Sequence, residues 1–364
     1  MKQLWHFARI ITAAVFLFSG FTKGVDLYGA GYKLEDYFYA WNMAGLAPWA
    51  LTLATVQAFL EFAMGAALLC NIFMRLTALL SLLAMLFFTA LTFVIALTNP
   101  VSDCGCFGDA LVLTNWQTFF KNLVLLPLSG LVFCYRREYG DSKRVPGLCV
   151  GAALMAAFAV MCWWSYNHLP LLDFRPFHIG ANIPESMAIP PDAKPDVYKT
   201  EFWYRNVATG KVQKFDADDI PWQDSLSWQF ERAESKLLKR GFHPKINSFS
   251  IQTLEGQDVT GFILQQPSEL YLLTLRNPAA IKPETLARIR ALNATANSRQ
   301  IPVLCLTSAP REDIRQFMNN NELLLDIYFA DDTTLKTMIR SDPGLFLLKN
   351  GTILQKWHHH DFPK

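Results

Sequence analysis

Five apolar runs, each close to the roughly 20 residues that carry a helix across a hydrocarbon core, fill the first 170 positions and set what this chain can be. They span 5–21, 49–70, 73–98, 116–135 and 147–166. Only 18 of the 64 Asp, Glu, Lys and Arg residues lie in that stretch, about 11% of it, against about 24% of the C-terminal 194 residues. The sequence therefore reads as an all-α membrane helical bundle joined to an ordinary soluble half. That excludes a purely cytosolic enzyme, a disordered tail protein and a disulfide-rich mini-domain. A net charge of +2 argues against nucleic acid as a partner, and membrane lipid is the partner the first half requires. Trp5, Trp49, Trp116, Trp163 and Trp164 sit near span ends, where interfacial anchors are expected.

Basic residues orient the spans. Lys2 and Arg9 stand at the N-terminal end of the first run, Arg75 lies in the second connection, and Arg136, Arg137, Lys143 and Arg144 crowd the fourth, whereas the third, 99–115, has none. The first connection is indecisive, since Asp26, Glu35 and Asp36 match Lys23 and Lys33. Ser19-Gly20-Phe21 makes a poor small-residue cleavage site, so the first run is expected to stay as a span rather than leave as a signal peptide. Five spans with the N-terminus inside put the third connection and everything after Tyr166 outside the cell membrane. The expected location is a bacterial inner membrane with a periplasmic C-terminal domain.

Seven cysteines make no disulfide framework and no zinc signature, and only Cys104 and Cys106 are close. They sit in Ser102-Asp103-Cys104-Gly105-Cys106-Phe107-Gly108-Asp109. Two thiols separated by one glycine can close a small ring whose restricted torsions should make the bond more oxidising than a structural disulfide. Redox exchange, an inert clamp on the loop and soft-metal binding all remain open for this pair. Lys121, about 7 Å of helix rise beyond Trp116, is near enough to favour a thiolate, while Asp103 opposes it. Glu61 falls near the middle of the second span, where an ionisable group is costly and suspect of function. Its alternatives are a carboxyl tying helices through Ser19, Thr89 or Ser129, or a proton-handling group. Cys70, Cys134, Cys149 and Cys162 read as small packing residues.

Arg9, Val15-Phe16-Leu17-Phe18-Ser19-Gly20-Phe21-Thr22-Lys23-Gly24-Val25-Asp26, Glu61-Phe62 with Gly65, the Asp103 to Asp109 element and Lys121-Asn122 together resemble the DoxX and MauE superfamily of four-helix membrane proteins. The resemblance covers residues 1–135. It implies a role for Cys104 and Cys106, in disulfide formation or maturation of extracytoplasmic proteins beside a thioredoxin-like partner, or in a quinol oxidase as an accessory subunit. The fifth span, with the loop before it at 136–168, lies outside the four-helix unit and reads as a tether.

The segment 169–245 begins with a proline-rich stretch to Pro195, expected to be a linker lying against the membrane unit. A hairpin comes next at 202–204 and 211–215 about Thr209-Gly210, then a polar helix at 225–240. Asp216, Asp218 and Asp219 lack the Gly and distal Glu of a calcium loop and read as an acidic turn. Over 246–364 the pattern gives a strand at 249–254, strand 270–275, helix 283–297, strand 302–307, helix 311–319, strand 326–329, helix 332–340 and a hairpin about Asn350-Gly351. This mixed α/β order resembles membrane-anchored thioredoxin-like domains, with Asp342-Pro343-Gly344 where that fold carries a cis-proline. Where the redox Cys-x-x-Cys would stand, the chain has Arg276-Asn277-Pro278-Ala279-Ala280-Ile281. Cys305 reads as inert core. His358, His359 and His360 read as a solvated tail, although strand alternation would put His358 and His360 on one face. No metal is expected.

The fold expected is thus a four-helix DoxX/MauE-like bundle plus a fifth spanning helix, followed by an extracytoplasmic α/β thioredoxin-like domain. The function expected is a thiol-disulfide redox or maturation module, with Cys104, Cys106, Glu61 and Lys121 as its site and an extracytoplasmic protein thiol as substrate or partner. The competing reading is a non-enzymatic assembly or binding protein. No sequence feature fixes a cofactor; a membrane quinone is the acceptor such a module could use, with Glu61 assisting the proton.

Overall fold

The computed structural model describes the chain apart from residues 102, 140–143, 218, 240, 248 and 364, and of 144 and 145 the backbone only. The expectations for Ser102, Lys143, Asp218 and Arg240 lie outside the described residues.

The first half is helical: α1 Lys2–Val25, α2 Leu27–Ala40, α3 Ala50–Leu69, α4 Met74–Thr98, α5 Asn115–Cys134, the short α6 Arg136–Tyr139 and α7 Arg144–Asn167. All but α2 and α6 are long and apolar enough to cross a membrane, which makes the chain a multi-pass membrane protein with the five spans that its apolar runs predict. The extra helix α2 starts where the Asp26 carboxylate accepts the Gly29 amide hydrogen, an N-cap after the first span. Helices α1 and α3 cross at glycines. A Cβ on Gly20 would lie 2.6 Å from the Phe62 amide nitrogen, and one on Gly65 would lie 2.6 Å from that of Leu17. Small residues thus bring two backbones close, which in lipid supplies the packing that the hydrophobic effect does not. Leu60, Phe87 and Val160 are exposed on the surface that lipid would cover.

Two side-chain expectations change here. Trp5 is no interfacial anchor: it is fully buried and its indole donates to the Val132 carbonyl at 3.2 Å, because an indole inside an apolar bundle needs an acceptor. Cys162 is buried as expected, but Cys134 and Cys149 are exposed on the helix surface rather than packed.

Residues 182–249 form a unit of their own. It holds α8 Ile183–Met187 and three antiparallel strands, β1 Val197–Asn206, β2 Val212–Asp216 and β3 Trp228–Lys239, in the order β2-β1-β3. The hairpin is as expected, whereas the helix expected at 225–240 is instead β3. Its Ala, Glu, Lys and Leu content favours helix, but Phe230 stands beside Tyr204 on β1, and Trp228 packs edge-on against Phe215. Cross-strand aromatic packing outweighs local propensity.

The C-terminal domain comprises α9 Thr260–Leu264, β4 Glu269–Thr274, α10 Pro283–Ser298, β5 Val303–Thr307, α11 Arg311–Asn320, β6 Asp326–Phe329, α12 Asp332–Met338, β7 Gly344–Lys349 and β8 Thr352–His358. The sheet order is β6-β5-β4-β7-β8, with β4, β5 and β6 parallel and β7 and β8 antiparallel. Leu273, Cys305 and Leu345 from neighbouring strands pack with Ile289 and Leu292 of α10 in the core. The strand expected at 249–254 is reduced to single bridges from Gln252 to Asp258 and Phe329. Pro343 follows a cis bond, as the thioredoxin-like resemblance implies.

The stretch expected to lie on the membrane unit packs instead on this domain up to Ala181. Lys356 donates to Asp173 and to the Phe177 carbonyl, each at 2.8 Å, and Arg175 donates to the Thr337 carbonyl at 3.2 Å. Arg175 and Phe177 are buried, so the prolines shape an anchored strap rather than a free linker.

Candidate functional site

The loop after α4 is held at its middle by backbone contacts rather than by its thiols. The Ser19 hydroxyl donates to the Cys106 carbonyl at 2.7 Å, the Lys23 ammonium donates to the same carbonyl at 2.8 Å, and the Tyr37 hydroxyl donates to that of Cys104 at 3.3 Å. Gly105 sits at φ +66°, a left-handed conformation that closes the turn, and its amide donates to Asp103 at 3.0 Å. Asp103 also pairs with Lys33 at 2.9 Å. The result brings the two free thiols together, with Sγ···Sγ 2.8 Å.

The charge environment separates the two sulfurs. The hydrogen bond to Cys106, reinforced by burial, pushes the Cys104 thiol well above its ordinary value. The hydrogen bond from the Cys104 thiol, helped by the Lys121 and Lys23 ammoniums and opposed by burial, lowers Cys106 to about 7. Lys121 reaches the site across the Phe107 ring, 4.3 Å from its centroid.

Glu61 has a definite partner, and it is none of the hydroxyls considered for it. Its Oε2 lies 2.7 Å from Lys23 Nζ, and its Oε1 accepts from Gln57 Nε2 at 2.8 Å. Both members of this ion pair are buried, at 7% and 3% exposure, where an unpaired charge would be prohibitive. Lys23 escaped the sequence reading because it stood just past an apolar run and counted as a loop charge. The helix continues to Val25 and places Lys23 one turn beyond Ser19, whose hydroxyl accepts from it at 2.8 Å.

Cys104, Cys106, Glu61 and Lys121 all line one cavity of about 160 Å³, with Lys23, Tyr37 and Gln57. Its remaining wall is largely apolar, including Phe16, Phe88 and Ile95. An engineered cavity of about 150 Å³ accepts a benzene ring, so this one has room for a ring-sized group.

The C-terminal domain docks at the same end of the bundle as the cysteine loop. The Arg340 guanidinium donates through Nε to both Asp26 oxygens at 2.9 Å and reaches Asp109, in the loop itself, at 3.4 Å. Burial works against the Asp26 carboxylate, but Arg340, with Arg175 and the Gly29 amide, outweighs it and holds Asp26 below its ordinary range. Arg276, Lys336 and Arg340 all lie over the Tyr32 ring of α2. This docked face is the one next to Pro343. The amides of Arg276 and Asn277 donate to the Asp342 carboxylate at 2.8 and 3.0 Å. Cys305 is fully buried in β5, as expected.

Fold and site define a class: a multi-pass membrane protein whose two-cysteine loop stands over a buried Lys-Glu pair, joined to an α/β domain built on a five-stranded mixed sheet. Residues 1–135 match the family model of the methylamine utilisation protein MauE, and residues 198–240 match that of a domain of unknown function. Among solved structures the chain is similar to StoA from Bacillus subtilis, at 18% identity and a TM-score of 0.24, covering 30% of this chain and 84% of that one. A comparison with curated proteins found no match.

Proposed function

We propose that the protein is a thiol-disulfide oxidoreductase of the bacterial inner membrane that passes electrons from extracytoplasmic protein thiols to a membrane quinone. The observation that carries this reading is the shared cavity: the Cys104–Cys106 pair and the Lys23–Glu61 pair line the same ring-sized space. The basic residues of the second and fourth connections favour placing the loop and the C-terminal domain on the extracytoplasmic side.

In the oxidised state Cys104 and Cys106 form the disulfide. A substrate thiolate attacks Cys104 Sγ, breaks that bond and releases Cys106 as a thiolate, the better leaving group beside Lys121 and Lys23. A second substrate thiolate attacks the substrate sulfur of the mixed disulfide and releases Cys104. The substrate leaves as a disulfide, and the pair holds two thiols. Two electrons and two protons then pass from the pair to a quinone, giving quinol and the starting disulfide. Glu61 and Lys23 are the groups placed to relay protons from this space, and Gln57 orients the carboxylate.

The test is quinol formation in proteoliposomes given a reduced dithiol protein and a short-chain quinone. One quinol per substrate disulfide is expected, lost in Cys104→Ser and Cys106→Ser. Undiminished turnover in both variants would overturn the reading. One observation favours the binding-protein alternative: the C-terminal domain offers a thiol-free face, already docked on α2. That reading requires partner binding that ignores the redox state of the pair.

A further inference from the structure

The three terminal histidines are not a solvated tail. His358 closes β8 and is only 3% exposed, and His359 and His360 turn back over it, with ring centroids 4.1 to 4.8 Å apart. One nitrogen from each lies within 4.8 Å of the others. A fourth imidazole, His168, stands just past the end of α7, its centroid 6.3 Å from His358 and 6.2 Å from His360.

Hydrogen bonding fixes which nitrogens of His360, His168 and His359 are available, whereas His358 turns Nδ1 to the His360 amide at 3.3 Å, a bond that an ion taking that lone pair would replace. His360 Nδ1 lies 2.8 Å from the Asn167 carbonyl, which only accepts, so Nδ1 carries the proton and Nε2 the lone pair. His168 Nδ1 lies 2.8 Å from the Asp361 carboxylate, with the same consequence. Ser341 spends its hydroxyl hydrogen on the Pro343 carbonyl, so it accepts from His359 Nδ1 at 3.1 Å and leaves that Nε2 free as well. The Arg288 guanidinium donates to the His359 and His360 carbonyls and holds the turn. Imidazoles anchored through Nδ1 to a carbonyl, a carboxylate and a hydroxyl have the outer partners that metal-ligating histidines use.

We infer that His358, His359 and His360, with His168 as the fourth ligand, bind one divalent transition-metal ion of the zinc type. Imidazole nitrogens suit zinc, nickel and copper, and a tetrahedral ion with bonds of about 2.0–2.1 Å would draw the nitrogens of His358, His359 and His360 inward from within 4.8 Å and the His168 ring inward from a centroid distance of 6.2 Å. The ion would staple the last strand of the C-terminal domain to the exit of the fifth span, away from the cysteines.

The experiment uses the full chain, purified without a histidine tag, stripped with chelator and titrated with Zn²⁺ and Co²⁺. One equivalent of Zn²⁺ and the intense visible bands of four-coordinate Co²⁺ are expected. His358→Ala/His360→Ala should abolish both, and His168→Ala should weaken Zn²⁺ binding by about 10- to 100-fold. Maleimide labelling of Cys104 and Cys106 should stay unchanged in every variant, which reports that the fold survives. The milder His360→Ala, on an exposed residue, keeps the test valid if the double variant fails to fold. Absence of stoichiometric Zn²⁺, or Zn²⁺ retained by the folded double or His360→Ala variant, would overturn the assignment.

Discussion

Lys23 of the first span meets Glu61 of the second at 2.7 Å, and the same ammonium donates to the Cys106 carbonyl at 2.8 Å. One buried cation therefore ties two crossing helices to the cysteine loop. Its removal strands a carboxylate in the bundle interior. Lys23→Met is expected to cost about 3–5 kcal/mol, and Glu61→Leu a similar amount, while Lys23→Met/Glu61→Leu should recover most of the loss because no unpaired charge remains. Denaturation in detergent measures this. Quinol formation should stay low in all three.

Cys106 predicts a pH signature. Its thiolate should form as pH rises through about 7, so alkylation of the reduced pair should rise well below the range of an ordinary thiol. The leading cause is the hydrogen bond from Cys104. Cys104→Ala should therefore move the inflection upward, and a profile unchanged by this substitution would contradict the assignment.

Docking of the C-terminal domain rests on Asp26 and Arg340. Arg340→Met leaves Asp26 without its bidentate partner and should weaken docking by about 2–5 kcal/mol. Hydrogen exchange should speed up in α2 and around Pro343, while the sheet core from β4 and β5 stays protected. Because the folded-state pKa of Asp26 is lowered, its contribution is present above the ordinary carboxylate range and lost as pH falls through the lowered value.

Much of the architecture was legible because lipid and β-sheet each impose a strong pattern. The five spans, the succession of strands β4 to β8 along the chain and the Asn350-Gly351 hairpin follow from run length, alternation and turn chemistry. The sequence also singled out Cys104, Cys106, Glu61 and Lys121, which the fold places around one cavity. Contacts set by tertiary packing stayed hidden. Lys23 looked like a loop charge until its helix continued past it, and β3 hid behind helix-favouring residues. The histidines looked solvated because nothing in their neighbourhood announces that α7 ends beside them.

The most direct test of the central claim is a redox titration of Cys104 and Cys106 in native membranes, read with a membrane-impermeant maleimide across glutathione buffers. Reversible labelling with a midpoint well above about −300 mV, lost in Cys104→Ser/Cys106→Ser, is the result predicted. A pair that stays oxidised until strong reductant is added, or that labels only after the membrane is permeabilised, would contradict an exchange site on the extracytoplasmic face.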